Sequence, residues 1–173
     1  PQLSKKFSSI YHNYLNSLVC EANTIAVSPG YSLAPEFPIP TCYEDSWAVA
    51  QWATAHGPDP WLARWTDPTR VYFAGDSAEA NIAHNMLARA GPGRVAGLVL
   101  IHPFFREDGE NPLWEFLCGN KKAAWDTRLN PALDPARLWK ELGCARVLVC
   151  VGEKDFLKGN AVKYYEVLKE GGG

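Results

Sequence analysis

Apolar positions along the chain alternate between two periods. Phe7, Ile10, Tyr11, Tyr14, Leu15, Leu18 and Val19 recur at helical spacing, which predicts an amphipathic helix over about 7–22. Thr24 to Ser28 is a short apolar run with β-branched residues, and it predicts a buried strand ended by Pro29-Gly30. Three prolines between Leu33 and Pro40 predict an extended loop. Trp47, Ala48, Gln51, Trp52 and Ala55 return to helical spacing in a helix starting near Tyr43 and stopped by Gly57-Pro58. Glu44 and Asp45 sit in its first turn, where their charge suits the helix dipole. Arg70–Gly75 predicts a second strand and Ser77–Arg89 a helix closed by Gly91-Pro92-Gly93. Val95–His102 predicts a third strand, stopped by Pro103. From 104 to about 142 the pattern is irregular, with Pro112, Pro131 and Pro135, and predicts a loop-and-helix excursion. For Trp114, Trp125 and Trp139 in that excursion, buried core is the commoner fate and a pocket wall the alternative. Arg146–Val151 is a fourth strand and Ala161–Lys169 the last helix.

Helices alternating with short, fully apolar strands predict an α/β fold with a mostly parallel sheet and helices on both faces. Chemistry in such folds gathers at the carboxyl ends of the strands. That rule directs attention to Gly75–Ser77, His102 and Gly152–Asp155.

At the first of these ends the sequence reads Phe73-Ala74-Gly75-Asp76-Ser77-Ala78-Glu79-Ala80-Asn81. A strand, a serine in a tight turn and a helix in direct succession form a nucleophile elbow. The elbow lifts the serine Oγ above the sheet edge and aims the free N–H groups of the helix at any oxyanion beside it. Ser77 is the expected nucleophile and the Ala78 N–H one oxyanion donor. The competing reading is an ordinary N-cap serine. The usual pattern is GxSxG, and here Glu79 stands at the last glycine, bringing bulk and a negative charge to the place where an oxyanion develops. Asp155, after the fourth strand, is the expected triad carboxylate that orients a histidine, with Glu153 a weaker rival.

Taken together these stretches resemble the plant carboxylesterases, a group of hormone-sensitive-lipase-like α/β-hydrolases. Val27 to Pro40 is similar to their VSxxYRLAPExPxP signature, and Tyr43-Glu44-Asp45-Ser46-Trp47 to their YEDSW helix start. Gly75-Asp76-Ser77-Ala78 with Asn81-Ile82-Ala83-His84-Asn85 resembles GDSAGANIAHN. Gly97–Pro103, Arg146–Cys150 and Asp155-Phe156-Leu157 continue the likeness in family order. The resemblance implies hydrolysis of a small-molecule carboxylic ester through an acyl-enzyme, with no cofactor and no metal.

Departures from the pattern bear on activity. No stretch matches the family's HGGG oxyanion loop, and no histidine follows Asp155. Gly30 and Ser32 replace the acidic residue and arginine that flank the family tyrosine. Of His12, His56, His84 and His102, none is expected to stand in for the triad histidine. The chain is therefore expected to be inactive, a partial α/β-hydrolase domain over 1–173 and a fragment or truncated gene product. Pro1 opens it and three glycines follow the last helix, so both ends read as cuts or gene-model boundaries. Two other readings are a non-catalytic small-molecule binder like the gibberellin receptors and a dehydratase of the isoflavonoid type. Threonine is the tendency of dehydratases at the serine position, so Ser77 favours the esterase.

Composition adds limits. The chain has 173 residues, 47% hydrophobic and 21% charged, with a net charge of −2. That suits one globular domain and gives no electrostatic pointer to nucleic acid or anionic membrane. No apolar run approaches the roughly 20 residues of a membrane helix. Five cysteines without a CxxC pair read as reduced, buried thiols of a cytoplasmic protein. The start at Pro1 reads as a truncation, so a lost upstream targeting segment is also an expectation. The sequence sets no oligomeric state.

Overall fold

The computed structural model describes residues 9–55, 59–107, 109–142, 144 and 146–171. Among the described residues, seven α-helices are arranged with three strands in the order α1 (Ser9–Ala22), α2 (Thr41–Thr54), α3 (Pro60–Trp65), β1 (Tyr72–Asp76), α4 (Ala78–Ala90), β2 (Gly97–Ile101), α5 (Pro112–Cys118), α6 (Pro135–Glu141), β3 (Val147–Cys150) and α7 (Lys158–Gly171). The strands form one sheet in the order β1-β2-β3. Both pairings are parallel, with Asp76 opposite Ile101 and Ile101 opposite Cys150. The three carboxyl ends therefore lie side by side.

Thr24–Ser28 does not form the expected strand. Apolar β-branched residues make a strand only where a neighbour completes the ladder, and this segment pairs with none among the described residues. Its residues are exposed apart from half-buried Ile25, and Val27 keeps 41% of its surface.

The prolines that give 104–142 its irregular look have a local reason. Pro112, Pro131 and Pro135 each occupy the first turn of a short helix, where a missing N–H costs nothing. Asn111, Asn130 and Asp134 precede them and accept the first free N–H groups of those turns. Asp59 and Pro60 open α3 in the same way. Of the three tryptophans only Trp114 is buried, stacked on Phe104 with ring centroids 4.7 Å apart. Trp125 and Trp139 are partly exposed.

The main core lies on one face of the sheet. Leu98 and Leu100 of β2 meet Ala80, Ala83 and Leu87 of α4, Leu138 of α6 and Tyr164 of α7, with Phe105 among them. A second cluster joins Cys42 and Tyr43 of α2 to Ile82 and Met86 of α4. The alternate positions of the sheet are more open: Tyr72, Ala74, Leu148 and Cys150 are exposed. All five cysteines are free thiols, but only Cys42 and Cys118 are buried, short of the uniform burial expected.

Candidate active site

Ser77 is the single residue between β1 and α4, and the backbone there is under strain. Its φ is 53° and its ψ −116°, a region that L-residues avoid and that is tolerated where the surroundings over-determine it. Those surroundings are visible. The Ser77 N–H donates to the Ile101 carbonyl at 2.9 Å, and the Ser77 carbonyl accepts from the Phe104 N–H at 2.9 Å and the Ala80 N–H at 3.2 Å. The residue is thus sewn to β2, to the loop beyond it and to the first turn of α4. Ser77 precedes a helix as a capping serine would, yet its hydroxyl makes no cap hydrogen bond. The ordinary N-cap reading is therefore set aside: the strain is not offset by a cap.

Gly75 permits the close turn. A Cβ at this position would come within 2.3 Å of the Glu79 backbone carbon and oxygen, where the helix folds back over the strand. Close strand–helix approach thus depends on the first glycine of the pattern. The second position tolerates Glu79, whose side chain finds a partner elsewhere.

That partner is Tyr31, whose phenol donates to Glu79 Oε1 at 2.7 Å. On the other side of Ser77, Tyr11 of α1 donates to Asp76 Oδ2 at 2.9 Å. Nothing in the sequence announces these pairs, which join residues far apart along the chain. Tyr31 belongs to the recognisable Val27–Pro40 stretch, and that membership is the one signal that marks it. Burial, then the Glu79 charge and the hydrogen bond, push the Tyr31 phenol well above its ordinary value, so it stays a donor.

Ala78 opens α4, and its N–H donates to no acceptor among the described residues. A free first-turn N–H at a helix N-terminus is the type of group that stabilises a developing anion.

Asp155 follows β3 in a half-buried turn. Its N–H donates to the Gly152 carbonyl at 3.2 Å, and its Oδ1 accepts the Leu157 N–H at 2.8 Å. One carboxylate oxygen is therefore engaged in shaping the approach to α7. Glu153, the rival, is solvent-directed: its side chain is 88% exposed and pairs with Lys158 at 3.3 Å.

The histidines fall in different places. His12 is exposed on α1, and His56 lies outside the described residues. His84 is buried, with Nδ1 and the Tyr164 hydroxyl 3.0 Å apart and the Phe105 ring edge-on. Desolvation lowers its pKa to about 3, with Arg137 adding to the effect. His102 lies one register step past Ile101, half-buried, with φ 36°. No hydrogen bond joins a histidine to Ser77 among the described residues.

Asn81 and Asn85, from the same stretch as Ser77, hold the helix against its surroundings. Asn81 Oδ1 accepts the Tyr43 hydroxyl at 2.7 Å, and its amide donates to the Arg128 and Leu129 carbonyls. Asn85 donates to Asn81 and to the same Arg128 carbonyl. This buried network fixes α4, and through it the position of Ser77. Among the described residues a small cavity of about 10 Å³ lies beside His84 and another of the same size beside Arg106, each with room for about one water. Neither is lined by Ser77 or Asp155.

Comparison with known proteins completes the description. A family model described as alpha/beta hydrolase fold matches residues 3–173. A probable carboxylesterase 2 of Arabidopsis thaliana is 38% identical over 91% of this chain and 56% of its own length. A 2-hydroxyisoflavanone dehydratase of Glycyrrhiza echinata is 35% identical over 98% of this chain and 61% of its own. The crystal structure of DphMB1 superposes with a TM-score of 0.77 at 25% identity, covering 94% of this chain and 58% of that one. The chain thus spans a little over half the length of these three relatives. No helix among the described residues is long and apolar enough to cross a membrane. With its parallel sheet, its strained elbow and a family match along nearly its whole length, the chain belongs to the α/β-hydrolase fold family and is similar to plant carboxylesterases within it.

Proposed function

We propose that this chain is the nucleophile-bearing part of a carboxylic-ester hydrolase and has negligible turnover by itself. The observation that carries the reading is Ser77: a serine held at φ 53° between strand and helix, with its hydroxyl uncommitted to a cap. In the proposed reaction its Oγ attacks the ester carbonyl, the alkoxide departs with a proton, and water cleaves the acyl-enzyme. The Ala78 N–H faces the developing oxyanion, and Asp155 orients a histidine that serves as base and then acid.

Such a histidine follows Asp155 in the family, and the 173 residues hold none there. Loss of a triad member costs on the order of 10⁶ in turnover. Lack of an oxyanion donor costs a further factor of about 10²–10³. Together they leave almost nothing of the original acceleration. The cytoplasm is the location proposed, on the strength of the five unpaired thiols.

The dehydratase relative supports a second reading, elimination of water on the same scaffold. Ser77 favours ester hydrolysis over it. The test is to read the coding sequence on both sides of this stretch and express the extended chain. An HGGG loop upstream, a histidine downstream and ester hydrolysis abolished by Ser77→Ala are the expected result. An extended chain that dehydrates a hydroxyisoflavanone and leaves esters intact would overturn it.

A further inference from the structure

A glutamate in the first turn of a helix has a natural resting place. Helical side chains lean toward the N-terminus, and the free N–H groups there attract a carboxylate. For Glu79 those groups include the Ala78 N–H, the donor that an oxyanion at Ser77 needs. A carboxylate settled on it would occupy the donor and repel the anion.

The structure shows a different arrangement. Glu79, Ile82 and Met86 are spaced to share one stripe of α4. Tyr31 packs against the cluster containing Ile82 and Met86, and its hydroxyl reaches Glu79 Oε1 at 2.7 Å. The ring is thereby anchored in apolar surroundings, and its polar end lies at the helix's first turn. Neither Glu79 nor Asp76 has an ion-pair partner among the described residues; each takes a phenol instead.

We propose that Tyr31 is a positioning residue whose hydroxyl holds the Glu79 carboxylate on the flank of α4, clear of the Ala78 N–H. Glu79 thus stands at the family's elbow glycine, and it is restrained here by Tyr31, the tyrosine of the Val27–Pro40 stretch. The inference rests on the reading of Ser77 and Ala78 given above, but it is tested without any turnover.

The experiment follows the Ala78 amide by ¹⁵N–¹H NMR through the carboxylate titration range, in the 173-residue chain and in Tyr31→Phe, Glu79→Gln and the double variant. In the unaltered chain and in Glu79→Gln the Ala78 profile is expected to be the same, because the carboxylate is held elsewhere. In Tyr31→Phe the amide shift is expected to follow Glu79 as it titrates, and in the double variant that dependence disappears. An Ala78 amide that already tracks Glu79 in the unaltered chain would overturn the proposal, as would a Tyr31→Phe profile indistinguishable from the parent. If Tyr31→Phe fails to fold, a difference between parent and Glu79→Gln still overturns the proposal. An inert Ser77 in an ester assay would count against the catalytic reading and leave this result standing.

Discussion

Ser77 and Gly75 carry opposite kinds of backbone demand. Ser77 sits at a φ and ψ that cost an L-residue about 1–3 kcal/mol, a cost that glycine does not bear. Ser77→Gly is therefore expected to raise stability in urea denaturation, by about 1 kcal/mol after the added chain entropy, whereas Ser77→Ala does not. A Ser77→Gly variant less stable than Ser77→Ala would show that the strained geometry is not present in solution. Gly75 is limited by space, since a Cβ would meet the Glu79 backbone at 2.3 Å. Gly75→Ala is expected to destabilise by about 1–3 kcal/mol, because rigid backbone must move to make room. An unchanged urea midpoint for Gly75→Ala would contradict the close approach of β1 and α4.

Among elements, the contact of α4 with α7 depends on a neutral histidine. His84 is buried against Tyr164 and Phe105, and its pKa falls to about 3 from 6.5. The folded state thus refuses a proton that the unfolded chain accepts. Its contribution to stability is full above pH 6.5 and is lost as pH falls toward about 3. The slope from this group approaches about 1.4 kcal/mol per pH unit within that window. Guanidinium melts at pH 7 and pH 5 are expected to show this loss in the parent and a smaller loss in His84→Gln. Equal losses in both would mean that His84 is not buried and neutral.

The elements that sequence reasoning located were those whose signal is local. Apolar runs ending in Gly or Pro marked β1, β2 and β3 to within two residues, and helical spacing marked α1, α2 and α4. Thr24–Ser28 has the same local signal as those strands, but a strand also needs a ladder partner, and a sequence pattern carries no record of one. Helix was expected within the 104–142 excursion, but its bounds were not, because the prolines that open the short helices read as breakers when their Asn and Asp caps are not weighed with them. At the site, Ser77, Ala78 and Asp155 came from motif and position. The Tyr31–Glu79 and Tyr11–Asp76 pairs depend on chain folding and were not visible.

On the scale of the whole molecule, the sheet among the described residues has three strands, with β1 and β3 at its edges. Tyr72 and Leu148, on those edge strands, retain 48% and 54% of their surface. Open edges flanked by apolar surface invite pairing with another chain. The 173-residue chain is expected to associate with rising concentration in sedimentation velocity. A strict monomer with one cooperative melting transition would contradict that expectation.

Ser77 is proposed to stand in a nucleophile elbow that has, within these 173 residues, neither the triad histidine nor the HGGG loop. The direct test is hydrolysis of p-nitrophenyl acetate by the 173-residue chain beside its Ser77→Ala variant. Equal rates are expected, both at the level of background. Turnover by the parent that is lost in Ser77→Ala would contradict it, and would show that another group in these residues takes the serine's proton.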